Sequence, residues 1–236
     1  MSRRLNQPIA LSLIGLPGVL SLLLVLPELP GVPQWALLIN PTVLLVTAAC
    51  AGTWAAKRCG LRLSAAPVME PKRAVDIGAG VVIGVVVALA DHSGRALWQG
   101  PLGMPPSIIE GWSATSLLVG LLYGGLVEEI VFRWGLMSLV VLALWRVLAR
   151  RAVTPSNEVL LAGVSFGALI FAASHLPAVA ATGAELLPSV ALRTLLLNTL
   201  LGLLYGWFFV RRDLIAAIAA HAGTHLGFAT AALLSR

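Results

Sequence analysis

Residues 116–145 read SLLVGLLYGGLVEEIVFRWGLMSLVVLALW, and in this run only Glu128, Glu129 and Arg133 carry charge. About 20 apolar residues in a helix rising 1.5 Å per residue cross the hydrocarbon core of a bilayer. A helix apolar on nearly every side must be buried in protein or in lipid. The rest of the chain decides for lipid. Of its 236 residues 58% are hydrophobic and 11% charged, where an ordinary soluble domain is roughly 25% charged. Apolar runs near 8–27, 33–56, 74–91, 114–145, 157–176, 189–210 and 213–235 are bounded by Pro, Gly or charge. The sequence therefore predicts an all-α, polytopic transmembrane bundle of seven spans, with residues 1–236 forming a single integral-membrane domain. The first run lacks a small-residue cleavage site and is expected to stay in the mature protein.

The charge balance, 16 Lys+Arg against 10 Asp+Glu, could suggest nucleic acid in a soluble chain. Topology accounts for it instead. With a cytoplasmic N-terminus, 12 of the 16 basic residues fall in inner segments: Arg3 and Arg4, the 57–73 segment, Arg146 to Arg151, and Arg211 with Arg212. The outer segments hold Arg95 and Arg236 beside Glu28, Asp91, Glu110 and Glu185. That bias is the positive-inside pattern and predicts N-in, C-out, with no nucleic-acid partner. Pro67 and Pro71, then Pro101, Pro105 and Pro106, interrupt the two longest connections. Cys50 and Cys59 have neither metal-site nor disulfide-framework spacing and are expected to be packing residues.

Two glycine patterns belong to packing. Gly78, Gly80 and Gly84 follow no strand, so they are expected to form a helix contact rather than a nucleotide loop. Gly120-Leu-Leu-Tyr-Gly124 recurs as Gly202-Leu-Leu-Tyr-Gly206, and Gly163 with Gly167 keeps the same spacing. Small residues four apart let helices approach closely in lipid; an internal duplication is the other reading.

An ionisable group at a span centre costs about 2.5–3.5 kcal/mol unless paired or wet, so Glu128, Glu129 and Arg133 together would cost on the order of 8–10 kcal/mol. Glu129 and Arg133 are four apart and can pair, whereas Glu128 is rotated by about 100° and left free. The fifth run carries Phe171-Ala-Ala-Ser-His175 and is expected to end at Pro177; the seventh carries His221-Ala-Gly-Thr-His225. Two His four apart suit a shared cation or two donors converging on one oxygen. Singly, each buried His is most simply satisfied by a nearby carbonyl. Together, a carboxylate pair and three imidazoles on three helices point to one shared polar site, because their cheapest partners are one another. Carboxylate with imidazole is equipment for activating water, and amide hydrolysis follows from it.

These motifs resemble the CAAX-protease and bacteriocin-processing family of intramembrane proteases, also called the Abi or type II CAAX prenyl endopeptidase family. It shows Glu-Glu-x-x-x-Arg, Phe-x-x-x-His and His-x-x-x-Asn on successive helices. Glu128-Glu129-Ile-Val-Phe-Arg133 and Phe171-Ala-Ala-Ser-His175 match the first two, and His221-Ala-Gly-Thr-His225 matches the third except at its last position. The likeness covers about residues 120–230, within an expected catalytic core at 114–230. It implies Glu128 as general base, His175 orienting the water, His221 and His225 as oxyanion stabilisers, and Glu129, Arg133 and Phe171 in support. His225 in place of Asn strengthens a metal reading, a zinc-type divalent ion on His175, His221 and His225; a metal-free, glutamate-activated water is equally allowed. The expected partners are membrane lipid and a peptide or membrane-protein substrate, and the expected location is a bacterial cell membrane. A proton- or ion-coupled transporter, or a non-catalytic scaffold or bacteriocin self-immunity protein, are the competing readings.

Depth is a difficulty for straight helices. Glu128 lies roughly 27 Å from Arg146 and His221 roughly 12 Å from Asp213, which leaves about 13–15 Å to be closed by tilt or projection.

Overall fold

The computed structural model describes residues 2–27, 30–64, 71–100, 105–149, 152–181 and 187–236. Glu28, Pro67, Pro101, Arg150, Arg151 and Glu185, used above for topology and chain breaks, lie outside them, as do the side chains of Arg3 and Arg4. Among the described residues the elements are helical and no strand occurs. Seven helices are long and apolar enough to cross a membrane. We label them α1 (Ser2–Ser21), α2 (Ile39–Cys59), α3 (Pro71–Gly94), α4 (Ala114–Leu148), α5 (Asn157–Ala181), α6 (Pro188–Arg211) and α7 (Leu214–Leu234). Large apolar side chains such as Leu13, Val82, Val86, Leu169 and Leu200 stay more than half exposed, as the lipid-facing surface of a bundle requires.

Local chemistry sets the helix ends. Gly60 ends α2 in the left-handed region, φ 72°, and its N–H and that of Leu61 both return to the Ala56 carbonyl. Ser113 and Ser116 form a reciprocal cap that opens α4. Within α4, residues Gly120–Met137 wind as a π-helix, a wider and shorter coil than the α-helix on either side. The expectation that α5 ends at Pro177 is corrected: the helix runs on to Ala181 with Pro177 inside it. The lost hydrogen bond is tolerated in membrane helices, where neighbouring groups satisfy the freed carbonyl.

The glycine patterns resolve differently from one another. A Cβ on Gly80 would lie 2.0 Å from the Ala220 carbonyl oxygen, and one on Gly84 2.3 Å from that of Thr224, so α3 and α7 touch backbone to backbone. Gly78 meets nothing within 4 Å and is not part of that contact. Gly202 and Gly206 admit Ala168 and Val164 of α5. Cys59 is buried as expected, whereas Cys50 is exposed on the outside of α2.

Charges gather at the two ends of α3. At one end Arg73 bridges Asp213 through both guanidinium nitrogens, at 2.9 and 2.8 Å, while Arg212 pairs with Asp76. At the other, Arg193 grips Asp91 at 2.7 and 2.6 Å, the Ile108 N–H donates to the same carboxylate, and Arg95 pairs with Glu110. Asp76 and Asp91 are 15 residues apart, roughly 22 Å along the helix. Which end faces the cytoplasm stays the expectation drawn from charge bias.

Protein covers the first of these ends. Asp213 is 1% exposed. It caps α7 through the Ala216 N–H, and the chain at Arg62 and Leu63 covers that end by accepting from the Leu214 and Ile215 N–H groups. The start of α7 is therefore covered by chain, and the π coil makes α4 shorter than an α-helix of the same residues.

Candidate active site

α4 places the acidic doublet on two faces. Glu129 points into the bundle with no exposure, and Glu128 is half-buried beside it. Oε1 of Glu129 accepts from Nδ1 of His221 at 2.8 Å and lies 3.0 Å from Nη1 of Arg133. Arg133 also donates from Nη2 to the Gly202 carbonyl at 3.3 Å. Its guanidinium sits over the Phe171 ring at 4.2 Å and the Tyr205 ring at 5.2 Å. Charge, carbonyl and aromatic faces together make an arginine in an apolar span tolerable.

Phe171 is the hub between motifs. Its ring stands edge-on to His175 at 4.7 Å and to Phe132 at 5.2 Å, with His221 at 6.1 Å. Nδ1 of His175 lies 2.8 Å from the Phe171 carbonyl oxygen. A carbonyl can only accept, so Nδ1 carries the proton and Nε2 of the neutral ring is left as an acceptor. On α7, His221 is stacked between Tyr205 at 4.2 Å and His225 at 5.1 Å.

Glu128, His175, His221 and His225 line one cavity of about 330 Å³. Glu128 and His175 also line a second, of about 210 Å³, between α2, α4 and α5, so these two side chains stand between compartments. The acidic doublet and the imidazoles thus come together in one place, but not equally: Glu129 lies behind His221 and reaches the cavity only through it. No hydrogen bond from a described residue reaches Glu128.

The metal expectation depends on how its donors are placed. Among the described residues no three His, Cys, Asp or Glu side chains are disposed to hold one ion. Nδ1 of His175 and of His221 are taken by a carbonyl and a carboxylate. His225 lies with its ring along α4, where a Cβ on Gly120 would fall 2.4 Å from Nδ1 and one on Gly124 2.7 Å from Nε2. Nε2 of His175 and of His221 has no hydrogen-bond partner among the described residues, so what the arrangement lacks for an ion is three donors grouped about one point, not free ring nitrogens.

Three features escaped the sequence. Gly120 and Gly124, read as a helix contact, are the seat of the His225 ring. Tyr205, fully buried under His221, was signalled by the second Gly-Leu-Leu-Tyr-Gly segment. Asn198, a lone amide in the leucine-rich α6, lines the cavity with His175 and His225. No curated protein and no solved structure matches the chain. A family model does: residues 110–227, half of the chain and all three motifs, match the family described as type II CAAX prenyl endopeptidase Rce1-like, and the chain belongs to that family.

Proposed function

We propose that the protein is an intramembrane endopeptidase that hydrolyses peptide bonds of membrane-associated peptides or proteins with a water activated by Glu128. Membership of the family supports a CAAX-type protease. The observation that carries the mechanism is the shared cavity of Glu128, His175, His221 and His225, together with the hydrogen bond that commits His175 Nδ1.

A water between Glu128 and His175 gives one hydrogen to the carboxylate and one to Nε2 of His175, which leaves an oxygen lone pair for the substrate carbonyl. Glu128 takes the proton as the C–O bond forms. The carbonyl oxygen becomes an oxyanion facing His221 and His225. Nε2 of His221 can donate only when the Glu129–His221 pair holds two protons, one shared between them and one on Nε2. Negative charge on the substrate favours that form, and Arg133 and Tyr205 fix the pair in place. Glu128 then returns its proton to the leaving amine as the C–N bond breaks. The acid and amine products leave with the enzyme unchanged.

Purified protein in detergent is tested on membrane-anchored peptides with and without a chelator, alongside metal analysis. Glu128→Gln and His175→Ala are expected to lower cleavage by about 10²–10⁴-fold at unchanged thermal unfolding, and chelator is expected to have no effect. Full activity in either variant overturns the mechanism. Loss of activity on chelation, restored by a divalent ion, replaces it with a metal-assisted one. A wild-type protein that cleaves nothing returns the question to the transporter and scaffold readings.

A further inference from the structure

The cavity at His175 and His225 continues into a groove of about 430 Å³ between α5 and α6. Most of its wall area is apolar, from Val179, Leu197 and Phe228 among others, with Thr194 beside them, and it reaches Arg193. That guanidinium is already held by Asp91, so the end of the groove is charge-neutral. Along α6, Arg193 lies 12 residues before Tyr205, the residue stacked on His221, which is roughly 18 Å of helix. Extended peptide covers that length in about five residues.

Three polar side chains stand where cavity and groove meet, His175, His225 and Asn198, and of these Asn198 is the one the mechanism does not use. Its Nδ2 donates to the Thr194 carbonyl at 2.9 Å, which uses one of its two N–H groups. The other N–H and the Oδ1 lone pairs have no partner among the described residues and border the open space. A side-chain amide offers a donor and an acceptor side by side, the complement of a main-chain peptide group.

We propose that the substrate of the protease reading lies extended in the α5–α6 groove, with Asn198 hydrogen-bonding its main chain a few residues from the scissile bond. The occupant is an uncharged, mostly apolar stretch of peptide, because most of the groove's wall is apolar and the guanidinium at its end is paired. Asn198 is then a substrate-positioning residue that reads backbone rather than side chain. This explains a buried-facing amide in a leucine-rich membrane helix, where a polar group with no task would be a cost.

The inference rests on the protease reading and is tested on the full chain with the best membrane-anchored peptide found for the wild type. Asn198→Leu keeps the volume and removes both hydrogen-bonding functions; it is expected to raise KM about tenfold, with a smaller change in kcat. Leu196→Trp, on the lipid-facing side of the same helix, is the control and leaves both unchanged. A scan that replaces each substrate amide by an ester is expected to find one position, within five residues of the cleaved bond, that weakens wild type and has no further effect in Asn198→Leu. A wild-type KM in Asn198→Leu, or the same ester profile in both proteins, overturns the proposal while the protease reading stands. A wild type that cleaves no peptide removes the reading beneath it.

Discussion

A methyl group added at Gly120 tests the geometry of the site most directly. The new Cβ would lie 2.4 Å from Nδ1 of His225 and 2.8 Å from both Cε1 and Cγ, where ordinary contact begins at 3.4 Å. The ring must retreat by about 1 Å, and its freedom to do so is small, because His221 stacks on it at 5.1 Å and Phe228 stands edge-on at 5.7 Å. A displacement of about 1 Å in a catalytic group can lower the rate by about 100-fold, or roughly 2.7 kcal/mol of transition-state stabilisation. Strain of overpacking adds about 1–3 kcal/mol of lost stability. Gly120→Ala is therefore expected to cut kcat/KM by about 100-fold and to lower the unfolding temperature in detergent. His225→Ala removes all three colliding atoms, so the loss of stability from Gly120→Ala should largely disappear in that background. Peptide cleavage and thermal unfolding of the four proteins of this cycle measure both effects. An equal loss of stability from Gly120→Ala with and without His225→Ala would refute the claim that this glycine seats the imidazole.

Glu129→Leu leaves the Arg133 guanidinium buried without its carboxylate and is expected to cost about 3–5 kcal/mol of stability; detergent unfolding of Glu129→Leu and of Glu129→Leu/Arg133→Leu checks it, and the double variant should recover part of the loss. Gly84→Val places a side chain against the Thr224 carbonyl, 2.3 Å from where its Cβ must sit, and should disrupt the α3–α7 contact, whereas Gly78→Val, with nothing within 4 Å, should unfold like wild type. Equal effects at the two positions would contradict that packing. In the connection before α4, the Ser107 N–H and Arg95 hold the Glu110 carboxyl below its usual range. A lowered value means that this contact contributes above the ordinary carboxylate pKa, about 4.3, and is lost only as pH falls through the lowered one. Hydrogen exchange at the Ser107 amide should stay slow down to that range; protection lost well above it would count against the contact.

The expected pairing of Glu129 with Arg133 follows from a spacing of four on one helix, and that is why the sequence reached it: the helix itself brings the two together. The seven apolar runs were legible for a similar reason, since lipid imposes a length and a composition on each span whatever it packs against. The three motifs could be assigned to one site because ionisable groups in apolar helices must find each other. The end of α5 was misplaced because Pro177 is a strong local signal that a membrane environment overrules. The burial of Asp213 was not legible because an acidic residue beside two arginines looks like a surface residue until its partner, Arg73 from 140 positions earlier, is seen against it.

The sequence by itself determined the class of the fold, the number of spans and the set of residues that share the site, all of which depend on local pattern and on the solvent that lipid provides. Only the tertiary structure decided which partners each of those residues meets. It assigned Glu129 to His221, gave His175 its tautomer through the Phe171 carbonyl, and turned a pair of glycines into the seat of His225. It also opened the groove that ends at Arg193. These are relations between helices far apart in the chain, set by how closely backbones approach and which hydrogen-bonding groups are left to meet, and no periodicity within one helix encodes them.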